Sequence, residues 1–376
     1  MRALVVGGGI GGLAAGIALR LVGLEAVVVE QARTLEAVGA GLGLAANAVQ
    51  ALERIGISCA VRARGQTAGR LVALKPNGDA IVDLPLDGRE MLGVHRADLQ
   101  EVLVTALGKQ SLWLGRACSG FRDEGDRVTM TLDGKEQLEG DLLVAADGIR
   151  SKSRAWLIGD GPPEYAGYTG WRAVTQFEDP WLSDRMTETW GRGVRFGLIP
   201  IGGGRLYWFV SESRAEPDVP MIEGRSEHLA RLVRGWHEPI EAAIAATPED
   251  AISGTGIYWR RPTQAWGRGR VTLLGDAAHP MTPDLSQGAA QALEDAVVLA
   301  ASLRDAGDPV AGLRTYEAAR RNRTAEVVKR SRAAGKLAQA RSAFGAAARD
   351  LLIGTLPSRV HGIQQARIVD IELPRL

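Results

Sequence analysis

The sequence predicts an α/β protein: a mostly parallel sheet wrapped by helices, with a second, mostly antiparallel sheet inserted into it and helices after it. Three observations lead there. Short apolar runs at 3–6, 26–29 and 142–145, with a similar run at 270–274 that includes Arg270 and Thr272, have the pattern of strands buried on both faces, and all but the second run into glycine-containing turns. An aromatic-rich stretch from about 165 to 261 reads as strands separated by turn residues. From Pro309 to about residue 352 the chain is Ala- and Arg-rich at helical spacing.

The elements follow in order. Residues 10–21 place Leu13, Ile17 and Leu21 on one helical face, and with the strands at 3–6 and 26–29 they close a βαβ unit of about 30 residues. A helix is expected at 47–55, ended by Gly56. Residues 71–84 read as two strands around Pro76-Asn77-Gly78-Asp79. Residues 96–107 are helical, and 127–132 with 137–142 form a hairpin about Asp133-Gly134. Strands are expected at 171–177, 194–200, 206–211 and 256–259, interrupted by a helix at 226–236; a long helix follows at 287–303. The parallel-sheet domain is thus discontinuous, over 1–70, 96–164 and 262–305. The inserted sheet takes 71–95 and 165–261, and 306–376 is a helical segment.

Composition bounds the function. The 376 residues suggest two domains, and 45% hydrophobic with 24% charged residues suits a soluble enzyme with a sizeable core. Lys plus Arg number 45 against 44 Asp plus Glu, which gives no reason to expect nucleic acid as a partner. Cys59 and Cys118 have no metal-ligand or C-x-x-C spacing and read as unpaired thiols in a reducing compartment. The start of the chain carries five glycines among residues 7–12, unlike a signal peptide, and no run is long enough to span a bilayer. The expectation is a cytoplasmic protein without stable membrane insertion, monomeric or homodimeric, and without a metal.

Gly7-Gly8-Gly9-Ile10-Gly11-Gly12 sits between a strand and a helix, where glycines let backbone N–H groups approach a pyrophosphate. Glu30 ends the second strand, where a carboxylate can accept from ribose hydroxyls. Asp147-Gly148 and Gly275-Asp276 follow the third and fourth buried strands, at the ends where open α/β sheets bind ligands. Three such sites suit a ligand as long as FAD.

The chain resembles the class A flavoprotein monooxygenases, the para-hydroxybenzoate hydroxylase-like aromatic hydroxylases, over roughly residues 1–340. The likeness rests on the first glycine motif with Glu30, on Ala146-Asp147-Gly148 with Ser151 and Arg154, and on Gly275-Asp276-Ala277-Ala278-His279-Pro280 continuing through Pro283, Gln287-Gly288 and Glu294-Asp295-Ala296. It implies a Rossmann-type, glutathione reductase-like FAD domain. It also implies FAD reduced by NADH or NADPH, and O2 carried as a flavin C4a-hydroperoxide to a small aromatic or heteroaromatic substrate. The cofactor-binding set implied is Gly7, Gly9, Gly11, Gly12, Glu30, Arg33, Arg96, Asp147, Gly148, Gly275, Asp276, Pro283, Gly288 and Ala289, with Cys118 added to it. Glu30 would hold the adenosine ribose, and Asp276 the ribityl chain or phosphate edge. Asp147-Gly148 would serve both FAD and the nicotinamide cofactor. Gly288 and Ala289 would lie near the flavin pyrimidine. The family usually has glycine where this chain has Ser286, and a positive φ there would cost serine something.

No acid–base residue is assigned, because the flavin carries the chemistry; His279 reads as holding its loop. Arg172, Arg205 and Tyr207 are the substrate-side candidates, and alternation puts Arg205 and Tyr207 opposite Trp208 without saying which face lines the pocket. The basic residues after Pro309 read as a solvated helix face whose apolar side packs on the FAD domain. Epoxidation, oxidative decarboxylation or oxygen-independent reduction at the same cofactor are alternatives. A flavin-free dehydrogenase would leave Asp147 and Asp276 unexplained. A halogenase would carry a W-x-W-x-I-P segment, which is absent.

Overall fold

The computed structural model describes residues 1–35, 40–215 and 223–376. Its first layer is a six-stranded sheet in the order Gly267–Arg268, Val271–Leu273, Leu142–Ala145, Arg2–Val6, Glu25–Glu30, Leu112–Leu114. Every pair is parallel except the first. Ala3, Leu4 and Val5 are wholly buried because helices cover one face and a three-stranded antiparallel sheet of Glu136–Gly140, Val128–Leu132 and Cys118–Asp123 packs on the core from the other, and this is why the strands read as unbroken apolar runs. Register fixes the functional level: Val6 pairs with both Val29 and Ala145, so Gly7, Glu30 and Ala146 emerge side by side. The helices Ile10–Leu21 and Gly288–Ala306 pack against each other over this sheet. Gly11 allows it, since a Cβ there would lie 2.9 Å from Leu274 and 3.2 Å from Ala292.

The second layer is a seven-stranded sheet ordered Ser253–Trp259, Glu164–Gln176, Arg205–Ser213, Val194–Pro200, Arg185–Trp190, Arg70–Leu74, Ala80–Pro85. It is antiparallel apart from the pairing of Arg185–Trp190 with Arg70–Leu74. Period-two alternation splits its side chains between two environments. Trp171, Phe196, Leu198, Trp208 and Val210 form one core with the helices Arg225–Leu232 and Ile240–Ala245. Tyr207, Phe209, Ile199 and Val174 join a different cluster with Ala45, Met91 and Met186 on the side of the parallel sheet. The Tyr207 face therefore looks toward the first layer, and Trp208 is core.

A small sheet of Gly41–Leu44, Met91–His95 and Gln66–Ala68 fills the gap between the layers. Its glycines defeat pattern reading, and packing explains them: a Cβ at Gly41 would overlap Tyr207, and one at Gly93 would overlap the Pro200 carbonyl. The interrupting helix stops at Leu232, short of the expected 236. The C-terminal segment is three helices, Pro309–Ala338, Ala343–Gly354 and Ser358–Val369. The first break is set by Ser342, whose side chain caps the second helix by accepting from Gly345 N–H at 3.0 Å; the second falls at Pro357, which precedes the third helix. Among the described residues no helix is long and apolar enough to cross a membrane.

Candidate active site at the strand ends

Gly7 has φ +107°, and a side chain there would overlap the Ala146 carbonyl; one at Gly12 would overlap the Gly7 carbonyl. These two positions hold the turn tight. At Gly9, by contrast, a Cβ would meet nothing, and the helix that starts at Ile10 has no side-chain cap. Its first amides, which no intrahelical carbonyl can serve, are left for a ligand anion. Glu30 lies against the same turn, accepting from Gly8 N–H at 2.7 Å and Ala32 N–H at 2.8 Å. Arg33 is exposed nearby.

Asp147 accepts from Ser151 Oγ (2.5 Å) and Ser153 N–H (3.0 Å), and Ser151 caps the helix Lys152–Ile158 by accepting from Arg154 N–H. The Arg154 guanidinium is buried and donates to the Ala277 and Ala278 carbonyls at 2.9 and 2.8 Å. One arginine thus staples the Asp147 loop to the Asp276 loop. The half-buried Cys118 thiol, facing Asp147 and Lys152, is pushed up to about 11 by burial and stays protonated at neutral pH.

Gly275 has φ +61°, and its N–H donates to Asp295 at 3.0 Å. Asp276 is reached by solvent, yet protein surrounds it on most sides, the signature of a crevice floor. Burial raises its carboxyl, opposed by His279 and Arg96. Arg96 is lowered by burial and by Arg172, and Tyr207 is raised by burial against the pull of Arg172. Asp276, Arg96, Arg172 and Tyr207 therefore form one electrostatically coupled row from the parallel-sheet loop to the inserted sheet. Arg205 stands apart from it, its guanidinium engaged with Asp98 (2.7 Å) and the Gly202 carbonyl (3.0 Å).

Beside Asp276 lies the turn Pro283–Leu285, then Ser286 in the left-handed region at φ +52°, then the long helix from Gly288. Gln287 does not cap that helix; its side-chain oxygen accepts from Asn47 (2.9 Å) and Gln291 (3.1 Å). The Gly288 and Ala289 amides thus start an uncapped helix next to Asp276. His279 Nε2 meets Asp295 at 2.6 Å, with its ring tilted on Trp266, so it holds its loop.

Two buried ion clusters brace this region, and most of their members carry no sequence signal as site residues. Arg320 binds Glu294 at 2.5 Å and Asp295 at 2.6 Å, and Arg323 binds Glu294 at 2.7 Å. In front of the turn, Arg195 binds Asp284 at 2.5 Å and Glu188 at 2.9 Å, and Tyr168 Oη donates to Asp284 at 2.9 Å. Spacing could have hinted only at Glu294-Asp295, which stand within the long motif; Arg195 and Arg320 come from distant elements and look like surface residues.

A cradle that excludes side chains, two uncapped helix starts and carboxylates at three strand ends fit a dinucleotide with a flavin at the Asp276 end. Comparison with known proteins agrees: residues 1–331 match the FAD binding domain family. The chain belongs to that family. Over 364 residues it is 41% identical to the aurachin C monooxygenase/isomerase of Stigmatella aurantiaca, covering 95% of each chain. It is 33% identical to the FAD-dependent urate hydroxylase of Klebsiella pneumoniae, covering 87% of this chain and 88% of that one. Zeaxanthin epoxidase of Solanum lycopersicum shares 35% identity over 86% of this chain but only 52% of its own length. Among solved structures, Klebsiella pneumoniae HpxO complexed with FAD and uric acid superposes with a TM-score of 0.92 at 29% identity, over 98% of this chain and 96% of that one. The protein is an FAD-dependent monooxygenase of the class A aromatic hydroxylase type.

Proposed function

We propose that this monooxygenase hydroxylates a planar, electron-rich aromatic or heteroaromatic ring, taking its electrons from NADH or NADPH. The observation that carries the reading is the coupled row from Asp276 through Arg96 and Arg172 to Tyr207. It joins the cofactor end of the crevice to a sheet face that also carries Val174, Ile199, Phe209 and Met186, packed in one apolar cluster with Met91 of the small sheet. FAD, when bound, supplies reduction by the nicotinamide and activation of oxygen.

The chain's own residues do the rest. Gly7, Gly9, Gly11 and Gly12 admit the pyrophosphate, with Glu30 on the adenosine ribose and Arg33 at the phosphates. Asp147-Gly148, Gly275-Asp276 and Arg96 line the middle of the cofactor, with Cys118 behind Asp147. Past Pro283, the helix start at Gly288 and Ala289 favours negative charge on the ring. Arg172 and Tyr207 orient the substrate's polar edge, and the apolar wall excludes water from the oxygen-transfer step. Arg205 acts on this face through its tie to Asp98, as a positioning residue.

The test is anaerobic reduction of the purified yellow protein by NADH and by NADPH, alone and with phenolic acids, quinolones and purine-like heterocycles, followed by air. One ring class should accelerate bleaching and return a product heavier by one oxygen. Hydrogen peroxide as the sole product across all classes would overturn the assignment. An epoxide would favour the second reading, which the likeness to zeaxanthin epoxidase supports. Asp276→Asn should weaken FAD binding about tenfold, the loss of one charge-assisted hydrogen bond.

A further inference from the structure

The Ala343–Gly354 helix is turned unlike an ordinary surface helix. Its inward face carries Ala346 and Arg349, both buried, and Arg349 donates to the Ala338 carbonyl at 2.8 Å and to the Trp190 and Gly191 carbonyls at 3.2 Å. Its outward face carries Phe344, Leu351 and Leu352, which are 85%, 69% and 59% exposed, together with exposed Ala347 and Ala348. Positions 344, 348, 351 and 352 fall on one helical stripe. Leu337 before it and Ile363 after it are also exposed. This short segment holds five of the ten large hydrophobic side chains exposed among the described residues.

Charge decides what covers the stripe. Between Val327 and Val369 the chain has eight lysines and arginines and one acid, Asp350, although its overall charge is only +1. Asp350 is already paired with Arg349 at 2.8 Å, while Lys336, Arg341, Arg359 and Arg367 are exposed. A second copy docked on this face would set like charge against like charge. An anionic bilayer surface satisfies both halves of the pattern: apolar side chains enter the headgroup boundary and a basic rim meets the phosphates.

We propose that the Ala343–Gly354 helix lies in the plane of an anionic membrane surface and docks the enzyme there reversibly. The site is continuous with the substrate side of the molecule. The next helix, Ser358–Val369, ends in Ile368 and Val369, which pack in the same apolar cluster as Tyr207, Met91 and Ile199. A poorly water-soluble aromatic substrate would then be taken up close to the lipid that holds it.

The experiment is flotation of the FAD-loaded protein with phosphatidylglycerol-containing vesicles and with pure phosphatidylcholine vesicles, at low and high salt. Light scattering on the lipid-free protein gives its mass. The expected result is binding to the anionic vesicles that salt weakens. Phe344→Ser combined with Leu352→Ser should cut the bound fraction about tenfold or more, with flavin content and spectrum unchanged. Arg359→Glu, which leaves the apolar stripe intact, should weaken binding several-fold. Failure of the unaltered protein to float, or equal flotation of the double serine variant, overturns the proposal. So does a dimer that the double variant dissolves, for then a second copy covers the stripe.

Discussion

Two buried ion clusters flank the turn that leads into the Gly288 helix, and they are balanced in opposite senses. Behind the turn, Glu294 and Asp295 face Arg320, Arg323 and His279; in front, Arg195 is the one cation among the described residues that pairs with Glu188 and Asp284. Burial by itself would raise the carboxyls of Glu294, Asp295 and Glu188 alike. In the first cluster the surrounding cations outweigh it, and Asp295 is held down to about 2 while Glu294 is also lowered. In the second, burial wins at Glu188: Arg195 pulls it down, but Asp284 pushes it back up. Arg195 also keeps a buried Nε without a partner. The number of cations per carboxylate, more than depth of burial, sets the sign. The first cluster is a saturated brace; the second is one positive charge short and faces the substrate sheet.

The largest expected effect comes from removing the central cation of the saturated brace. Arg320→Met should cost about 3–5 kcal/mol, because two wholly buried carboxylates lose their main partner. Arg195→Met should cost less, about 2 kcal/mol, since Glu188 is partly exposed with an already raised carboxyl that can take up a proton, and the buried Asp284 keeps the hydrogen bond donated by Tyr168. Urea unfolding of both variants measures the difference, and equal losses would erase the distinction between the clusters.

Acid sharpens it next. A lowered carboxyl stabilises the fold fully above its unfolded value of 3.8 and loses that contribution as pH falls through the folded value, near 2 for Asp295. The brace should therefore hold at pH 5 and give way between about pH 4 and 2. Glu188 runs the other way: its raised carboxyl makes the ionised form a burden, relieved as pH falls through its folded value. Glu188→Gln should accordingly stabilise the protein by up to about 1 kcal/mol at pH 8. That gain should shrink toward pH 4, as read from melting temperatures across the range. A gain that persists at pH 4 would show that the amide helps by packing and not by charge.

These clusters also mark where the sequence stopped being legible. The parallel strands, the glycine turn and the three strand-end acids are local patterns, each written within a few consecutive residues, and they can be read without tertiary knowledge. The hairpins at Asn77-Gly78 and Asp133-Gly134 are legible for the same reason. The strands Gly41–Leu44 and Met91–His95 are not, because their glycines answer to Tyr207 and Pro200 more than 100 residues away. Arg320 is hidden among basic neighbours on a helix whose residues look solvated, yet it is 1% exposed. Conversely, the outward face of Ala343–Gly354 spells a packed side in sequence, and only the fold shows it exposed, with none of the described residues covering Phe344, Leu351 and Leu352. The face question at Tyr207 and Trp208 could not be settled by alternation, which fixes two faces but not which neighbour each one meets.

The smallest expected effect lies between the two clusters, at Ser286. Its φ of +52° is a left-handed conformation that costs an L-residue roughly 1–2 kcal/mol relative to the usual wells. Glycine would remove that strain but lose more chain entropy on folding, so Ser286→Gly should stabilise by only about 0.5 kcal/mol. The informative part is where the strain sits. Asp284 pins one side of Ser286 to Arg195, and Gln287 pins the other to Asn47, which itself donates to Glu294 at 2.6 Å. If the clusters hold the turn from both ends, glycine should leave the urea and acid profiles of the Arg320 and Glu188 variants unchanged, and the effects should add. If instead the serine backbone itself transmits force between them, Ser286→Gly should narrow the difference between Arg320→Met and Arg195→Met. A double-mutant cycle in urea reads that coupling directly, and a coupling above about 0.5 kcal/mol would mean that the two clusters act as one unit across the turn.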